Sequence, residues 1–211
     1  MIEVKNLYKY INDKLILENI NISLEHGKVY GFVGRNGSGK TMLFRAICGL
    51  ITYQKGEIYI DGKKKNNNEI PQSIGLLLEN PSFLNGLSGF DNLKMLASIR
   101  DIIDDKRIDE ILYKVGLSDD KSKKYEQYSL GMKQRLAIAN VIMEDPKILI
   151  FDEPTNAIDE QGVIVLRDII KEEKKKGKLI LIASHEKPFI EELSDDIIFM
   201  KNGSIVTGDI D

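Results

Sequence analysis

The residues best able to do chemistry form a short glycine-rich stretch that ends in a lysine and a threonine. The stretch fits the spacing G-x-x-x-x-G-K-S/T and consists of Gly34, Arg35, Asn36, Gly37, Ser38, Gly39, Lys40 and Thr41. Glycines in such a loop let successive backbone N–H groups curl around phosphate oxygens. Lys40 is predicted to reach the β- and γ-phosphates of a nucleotide, and the Thr41 hydroxyl to ligate Mg²⁺. These residues, with the following Met42, are therefore the predicted nucleotide-binding set; the alternative is a plain glycine-rich turn with a surface lysine.

A second reactive pair stands at the end of an apolar run. Residues 148–151 are Ile, Leu, Ile and Phe, and Asp152 and Glu153 follow at once. Buried strands rarely end in paired charges without a partner, so the two carboxylates indicate a functional site rather than a solvated turn before Pro154. Asp152 is predicted to hold Mg²⁺, and Glu153 to polarise a water for attack on the γ-phosphate.

Both motifs need a parallel sheet to bring them together. Residues 29–33, 147–151 and 179–183 are apolar runs of strand length, and residues 41–50 place apolar side chains at helical spacing. In an open α/β sheet the carboxyl ends of parallel strands meet at one crevice. The glycine-rich loop, the acidic pair and His185 are therefore expected close together, with Lys40, Glu153 and His185 acting on the γ-phosphate.

The order of the elements predicts the fold class. Strand-like segments alternate with turns in the first third, residues 90–100, 107–115 and 132–143 have helical patterns, and strand patterns return from residue 147. This order predicts one domain over residues 1–211, of the α/β class. Its parts are a P-loop NTPase three-layer core, an N-terminal antiparallel β subdomain and an α-helical subdomain inserted at about residues 84–140.

Composition excludes several classes of protein. The 211 residues include 30 Lys+Arg and 33 Asp+Glu, and a net charge of -3 gives no overall attraction to nucleic acid, which is not an expected partner. The single cysteine, Cys48, excludes an intramolecular disulfide. No apolar run approaches the roughly 18 residues that span a bilayer, and the first residues do not form a signal peptide. A cytoplasmic location is therefore expected.

A third motif carries a family resemblance. Residues 128–135 read Tyr-Ser-Leu-Gly-Met-Lys-Gln-Arg and resemble the signature of ATP-binding cassette (ABC) ATPases, as a variant of the pattern Leu-Ser-Gly-Gly-Gln. From the residues alone, Ser129 is a helix N-cap and Gly131 a point of close approach. The resemblance implies instead that this motif contacts the ATP bound by a second subunit. The predicted contact residues are Ser129, Leu130, Gly131 and Met132.

The resemblance implies further site residues. Ala157, Ile158 and Asp159 look like the loop that crosses the dimer interface, and His185 like the switch histidine of the family. The family usually stacks an aromatic residue on adenine; that register falls on Ile11 here, and we nominate the adjacent Tyr10.

One position departs from the family pattern in a way that affects the metal site. Glu79 stands where the family usually has a glutamine that senses metal and water. A carboxylate there is predicted to join Thr41 and Asp152 around Mg²⁺, although it adds negative charge beside a polyphosphate.

The motif pattern is most similar to exporters that protect cells against bacitracin and lantibiotic peptides. The implied function is an ATP-binding and hydrolysing subunit that pairs with a second ABC subunit, in a homodimer, and powers a separate membrane-spanning permease. Its location would then be cytoplasmic and peripheral on the inner face of the cell membrane. The alternatives are a soluble ABC-type ATPase that acts as an assembly or regulatory switch, and a P-loop kinase, which leaves the motif at 128–132 unexplained.

Overall fold

Within residues 1–78, 82–156 and 158–208, which the computed structural model describes, the chain forms two β-sheets. The first is antiparallel, with strand order β2-β1-β4-β5, and contains β1 (Ile2–Ile11), β2 (Lys14–Leu24), β4 (Lys55–Ile60) and β5 (Lys63–Lys64). The second, with order β10-β9-β3-β8-β7-β6, contains β3 (Val29–Val33), β6 (Ile74–Leu77), β7 (Ile148–Asp152), β8 (Leu179–Ala183), β9 (Asp196–Lys201) and β10 (Ser204–Val206). Its strands are parallel except for β10, which pairs antiparallel with β9.

Four of the six described α-helices begin where a side chain satisfies a free backbone N–H group. The six helices are α1 (Lys40–Ile47), α2 (Gly89–Ala97), α3 (Asp105–Lys114), α4 (Leu130–Ile142), α5 (Glu160–Lys175) and α6 (Lys187–Leu193). Ser88, Asp104, Ser129 and Asp159 cap α2 to α5, each accepting a hydrogen bond from the N–H three residues ahead. The helix predicted from residue 132 therefore begins at Leu130. None of the described helices is long and apolar enough to cross a lipid bilayer.

The six-stranded sheet separates two apolar layers. In β7, Ile148 and Ile150 pack with α1 and the antiparallel sheet, whereas Leu149 and Phe151 pack with α4, α5 and α6. Side chains alternate across a strand, so both faces of β7 are buried, as its continuous apolar run indicates. The three-layer α/β core expected from the sequence is present, and the antiparallel sheet lies on the α1 side.

Three elements differ from the sequence-based expectation. β1 continues to Ile11, through irregular register and a positive φ at Asn6 that disturb the alternating pattern by which a strand is predicted. β6 is a partly buried strand at the edge of its sheet, and its pattern gives little signal. α6 has seven residues, with Pro188 in its first turn, and this length is too short for helical periodicity to detect.

Candidate functional site

The glycine-rich loop connects β3 to α1. Gly37 and Gly39 have φ values of 80° and 109°, which residues with a Cβ rarely adopt. A Cβ on Gly34 would collide with the carbonyl oxygen of Met200. The loop therefore needs its glycines to turn tightly beside β9 and still open into a helix.

Polar groups in this loop are arranged as an anion site requires. Lys40 is only 6% exposed and donates a 2.7 Å hydrogen bond from Nζ to the Gly34 carbonyl. The buried Ser38 Oγ has no hydrogen-bond partner among the described residues, and an unpaired buried hydroxyl is costly unless a ligand satisfies it. Phosphate oxygens at the N-terminus of α1 would supply that partner.

Thr41 and Asp152 come together from α1 and β7. Asp152 continues the alternation of Ile148 and Ile150 toward α1, and the Thr41 hydroxyl donates a 2.6 Å hydrogen bond to Asp152 Oδ2. Asp152 is 1% exposed. Hydroxyl and carboxylate oxygens are hard donors, and Mg²⁺ is commonly held by one or two such groups together with substrate phosphates. The donor set fits Mg²⁺, and the described residues contain no group of three or more His, Cys, Asp or Glu side chains placed to hold a metal by themselves.

Glu153 turns away from its neighbour Asp152. Its φ of 50° is left-handed, and its N–H donates to the Ala183 carbonyl at 2.8 Å. The Glu153 carboxylate then approaches His185: Oε2 lies 2.8 Å from His185 Nδ1 and accepts a 3.3 Å hydrogen bond from the His185 N–H. Left-handed backbone at a non-glycine residue costs free energy and is concentrated at functional sites. The left-handed conformation places the Glu153 side chain at the edge of the sheet where β7 and β8 end.

Ser38, Lys40, Thr41, Glu153 and His185 line one open cleft, and the buried Asp152 is connected to it through its hydrogen bond with Thr41. The volume of the cleft is about 560 Å³, which is within the usual range for small-ligand sites. The described lining comes from β1 and β2, the glycine-rich loop with the start of α1, and the loops after β7 and β8: Ile11, Lys14, Ile16, Asn36, Gly37, Ser38, Gly39, Lys40, Thr41, Met42, Glu153, Asn156 and His185. Of the predicted nucleotide-binding set, residues 36–42 lie in this wall, and Arg35 lines a smaller adjoining cavity.

The structure places Ile11, and not the nominated Tyr10, in the cleft. Neighbouring residues of a strand point to opposite faces, and the hairpin pairs Ile11 with Lys14 and Tyr10 with Leu15. Ile11, Lys14, Ile16 and Asn156 are cleft residues that the sequence analysis did not assign. The two-residue Asn-Asp turn at 12–13 is a signal for Ile11 and Lys14, because it fixes the pairing of these two residues across the hairpin.

The motif at 128–132 lies elsewhere on the chain. None of its four predicted contact residues is among the described residues that line the cleft. Ser129 caps α4 by accepting a 3.2 Å hydrogen bond from the Met132 N–H, and Leu130 is 68% exposed. Gln134 Nε2 donates to the Pro154 carbonyl at 3.3 Å, which connects α4 to the loop after Glu153. The N-terminus of α4 therefore presents its signature residues at the surface.

Tyr128 anchors this helix start. Its hydroxyl donates a 2.9 Å hydrogen bond to the Asp120 carbonyl, and a Cβ on Gly89 would collide with it. Burial raises the pKa of Tyr128 to about 12, so the phenol stays neutral and remains a donor.

Of three remaining predicted positions, the structure describes one. Asp159 is the N-cap of α5 and accepts a 2.8 Å hydrogen bond from the Gly162 N–H. Glu79, the departure at the metal site, and Ala157, in the predicted interface loop, lie outside the described residues.

Sequence comparisons identify relatives along nearly the whole chain. The family model for ABC transporters matches residues 17–156. The chain is 46% identical to the uncharacterized ABC transporter ATP-binding protein YybJ of Bacillus subtilis (strain 168), over 99% of this chain and 96% of that protein. It is 37% identical to the lantibiotic transport ATP-binding protein SrtF of Streptococcus pyogenes, over 98% and 89% of the two chains. The bacitracin transport ATP-binding protein BcrA of Enterococcus faecalis is 36% identical over 98% of this chain and 68% of that protein.

Solved structures with a similar fold belong to the same kind of protein as these relatives. The ATP-binding subunit of an ABC transporter superimposes with a TM-score of 0.89 at 25% identity, over 97% of this chain and 88% of that one. A dimeric cassette in a post-hydrolysis state, bound to ADP and Pi, gives a TM-score of 0.87 at 25% identity, over 97% and 96%. The chain has a glycine-rich phosphate loop and an acidic strand end, and these comparisons place it among ABC proteins. It belongs to the ABC transporter family and is one of its ATP-binding ATPase cassettes.

Proposed function

We propose that this chain is the subunit of an ABC exporter that binds and hydrolyses ATP to drive a separate membrane-spanning subunit. The observation that carries the proposal is the cleft, which Lys40, Thr41, Glu153 and His185 line, with Asp152 bonded to Thr41 and Glu153 to His185. The names of SrtF and BcrA, which describe transport of a lantibiotic and of bacitracin, support an exporter of antimicrobial peptides. Through its permease the chain would sit on the inner face of the membrane.

The residues in and beside the cleft have separate roles in the proposed hydrolysis reaction. Backbone N–H groups of the glycine-rich phosphate loop and Lys40 hold the triphosphate; Thr41 and Asp152 would hold Mg²⁺, which would supply positive charge to the phosphate oxygens. Glu153 accepts a proton from water as the water oxygen bonds to the γ-phosphorus and the bond to the ADP oxygen breaks. His185 Nδ1, 2.8 Å from Glu153 Oε2, orients the Glu153 carboxylate, and His185 lines the same cleft.

A second copy of the chain completes each site in this proposal. The signature residues Ser129 to Met132 are absent from the described lining of the cleft of their own chain, and they surround an exposed helix N-terminus that suits an anion. The dimeric cassette bound to ADP and Pi supports this arrangement. We therefore propose a head-to-tail homodimer with Asp159 near its interface.

Replacing Glu153 tests the assigned chemistry. Glu153→Gln keeps the shape of the side chain but removes the base, so ATP turnover should fall by about 10²–10⁴-fold, while ATP binding persists and a dimer accumulates on gel filtration with ATP. Glu110→Gln is the matched control, because Glu110 lies on α3 with only a 3.5 Å contact to Arg107. Turnover at the wild-type rate in Glu153→Gln would contradict the role.

The membrane partner needs a separate test. A tagged copy of the chain, expressed in its native cells, should copurify from detergent extracts with a multi-span membrane protein. Recovery of the tagged chain without any multi-span protein would favour a soluble switch.

A further inference from the structure

Gln134 is a buried polar side chain on α4 to which the proposed chemistry gives no role. It is 7% exposed, and its Nε2 donates a 3.3 Å hydrogen bond to the Pro154 carbonyl. A buried amide costs free energy unless it is hydrogen-bonded, so its partner indicates what it stabilises. That partner is the residue directly after Glu153, the proposed base of the hydrolysis reaction.

The Pro154 carbonyl depends on a donor from outside its own loop. Pro154 is buried, and as a proline it has no N–H of its own. The Asn156 N–H turns back to the carbonyl of Glu153, at 3.2 Å, and not to that of Pro154. A buried carbonyl without a donor is costly. Gln134 supplies that donor from α4.

The backbone of Glu153 needs such external restraint. Its φ of 50° is left-handed, whereas a residue before proline favours extended backbone with a negative φ. A strained conformation of this kind persists only where surrounding groups determine it. From β8, the Ala183 carbonyl accepts the Glu153 N–H at 2.8 Å, and from α4 Gln134 holds the next residue. The two hydrogen bonds therefore restrain the backbone that aims the Glu153 carboxylate.

We propose that Gln134 is a positioning residue for ATP hydrolysis, because its hydrogen bond to the Pro154 carbonyl holds the Glu153 carboxylate where it can accept a proton from the attacking water. This inference rests on the proposed function, in which Glu153 is the base. It also divides α4 between two sites: the start of the helix, at Ser129 to Met132, serves the ATP of the partner subunit, and Gln134 serves the cleft of its own chain.

A substitution that removes only the donor tests this role. Gln134→Met keeps the length of the side chain and removes the amide, so kcat should fall by about 10–100-fold, since a small displacement of a reacting group is costly. The KM for ATP, and the affinity for the imido analogue of ATP, should stay within about twofold of wild type because the phosphate loop is unchanged. Loss of analogue affinity as large as the loss of kcat would overturn the proposal.

The neighbouring residue provides the matched control. Arg135 Nη1 donates a 3.0 Å hydrogen bond to the Gly116 carbonyl, so Arg135→Met also removes a bond from α4 to a backbone carbonyl, but at the loop after α3. We expect its kcat to stay near the wild-type value. Equal losses of kcat in Arg135→Met and Gln134→Met would attribute the effect to the placement of the whole helix and contradict a specific role for Gln134.

A double variant shows whether Gln134 acts through Glu153. Residues that act through one group are not additive, so adding Gln134→Met to Glu153→Gln should lower the residual single-turnover rate by less than about twofold. A further loss as large as that of Gln134→Met alone would mean that the two residues act independently, and the inference would fail while the role of Glu153 stands. Wild-type turnover in Glu153→Gln would instead refute the proposed base, and the inference with it.

Mixed dimers identify the site that Gln134 serves. When the inactive variants Lys40→Ala and Ser129→Arg pair, the intact site uses the Glu153 of the Ser129→Arg chain and the signature of the Lys40→Ala chain. Gln134→Met added to the Ser129→Arg chain should therefore lower the activity of the mixture, and added to the Lys40→Ala chain it should not. The reverse pattern would assign Gln134 to the signature and overturn the inference. A parent mixture without activity would contradict the proposed dimer, and the double variant would still decide the role of Gln134.

Discussion

Asp152 and Glu153 are adjacent in sequence, yet the backbone gives them different partners. The alternation of β7 directs Asp152 to the Thr41 hydroxyl, and the left-handed conformation of Glu153 directs its carboxylate to His185. Two carboxylates one residue apart can therefore have different roles, one toward a metal and one toward water.

The Thr41–Asp152 contact leads to a prediction about metal dependence. Thr41→Val keeps the volume of the side chain but removes an oxygen ligand, so the Mg²⁺ concentration that half-saturates ATP turnover should rise by at least about tenfold. A titration of turnover with Mg²⁺ measures this shift. Thr207→Val, at an exposed threonine, is the control, and an unchanged Mg²⁺ requirement in Thr41→Val would remove Thr41 from the metal site.

The sequence predicts the glycine-rich loop and the Asp152–Glu153 pair as site residues because each motif consists of residues close together in the chain. The hairpin residue that faces the cleft is harder to predict. Whether Tyr10 or Ile11 faces the cleft depends on the pairing across a hairpin whose first strand is irregular, and a shift of one residue exchanges the two faces.

At the scale of elements, a buried ion cluster joins α3, α5 and the start of β8. The Glu173 carboxylate on α5 lies 3.0 Å from Lys114 Nζ, 2.8 Å from Lys176 Nζ and 2.5 Å from Lys178 Nζ. Burial acts to raise the pKa of Glu173, but hydrogen bonds from the three lysines outweigh it and lower the pKa to about 2. The cluster attaches the α3 region to the core that carries β7.

This cluster predicts a pH-dependent stability. A folded-state pKa below the ordinary 4.5 means that the Glu173 contribution is fully present above about pH 4.5 and is lost as the pH falls toward 2. Glu173→Gln should therefore reduce the free energy of unfolding by about 3 kcal/mol at pH 7, with a smaller difference below about pH 4. Urea unfolding across this range measures both.

The neighbouring glutamate provides the control for this experiment. Glu172 also contacts Lys114 and Lys176, but its side chain is 51% exposed, so Glu172→Gln should cost less than about 1 kcal/mol. Equal losses in the two variants would contradict a special contribution from the buried carboxylate.

The elements themselves were predictable where a strong local signal existed. Apolar periodicity indicated α2, α3 and α4, and continuous apolar runs indicated β7 and β8. The missed elements, β6 and α6, are short and lie where neighbouring parts of the fold stabilise them, so their own residues carry little signal.

At the scale of the whole molecule, the cleft and the signature occupy different regions of one chain. The described cleft contains the phosphate loop, while Ser129 to Met132 surround the exposed start of α4. Two copies related by a twofold axis can each supply the surface that the other needs. In the proposed homodimer, ATP hydrolysis therefore requires the phosphate loop of one subunit and the signature of its partner.

Mixing two inactive variants tests whether each site needs residues from both subunits. Lys40→Ala disables the phosphate loop and Ser129→Arg disables the signature, so neither variant alone has a complete site. In an equimolar mixture about half of the dimers contain both variants, and each of these has one intact site, which predicts about a quarter of the wild-type ATPase activity. A mixture no more active than its components, or a Ser129→Arg variant that hydrolyses ATP at the wild-type rate, would contradict the requirement for two subunits at each site.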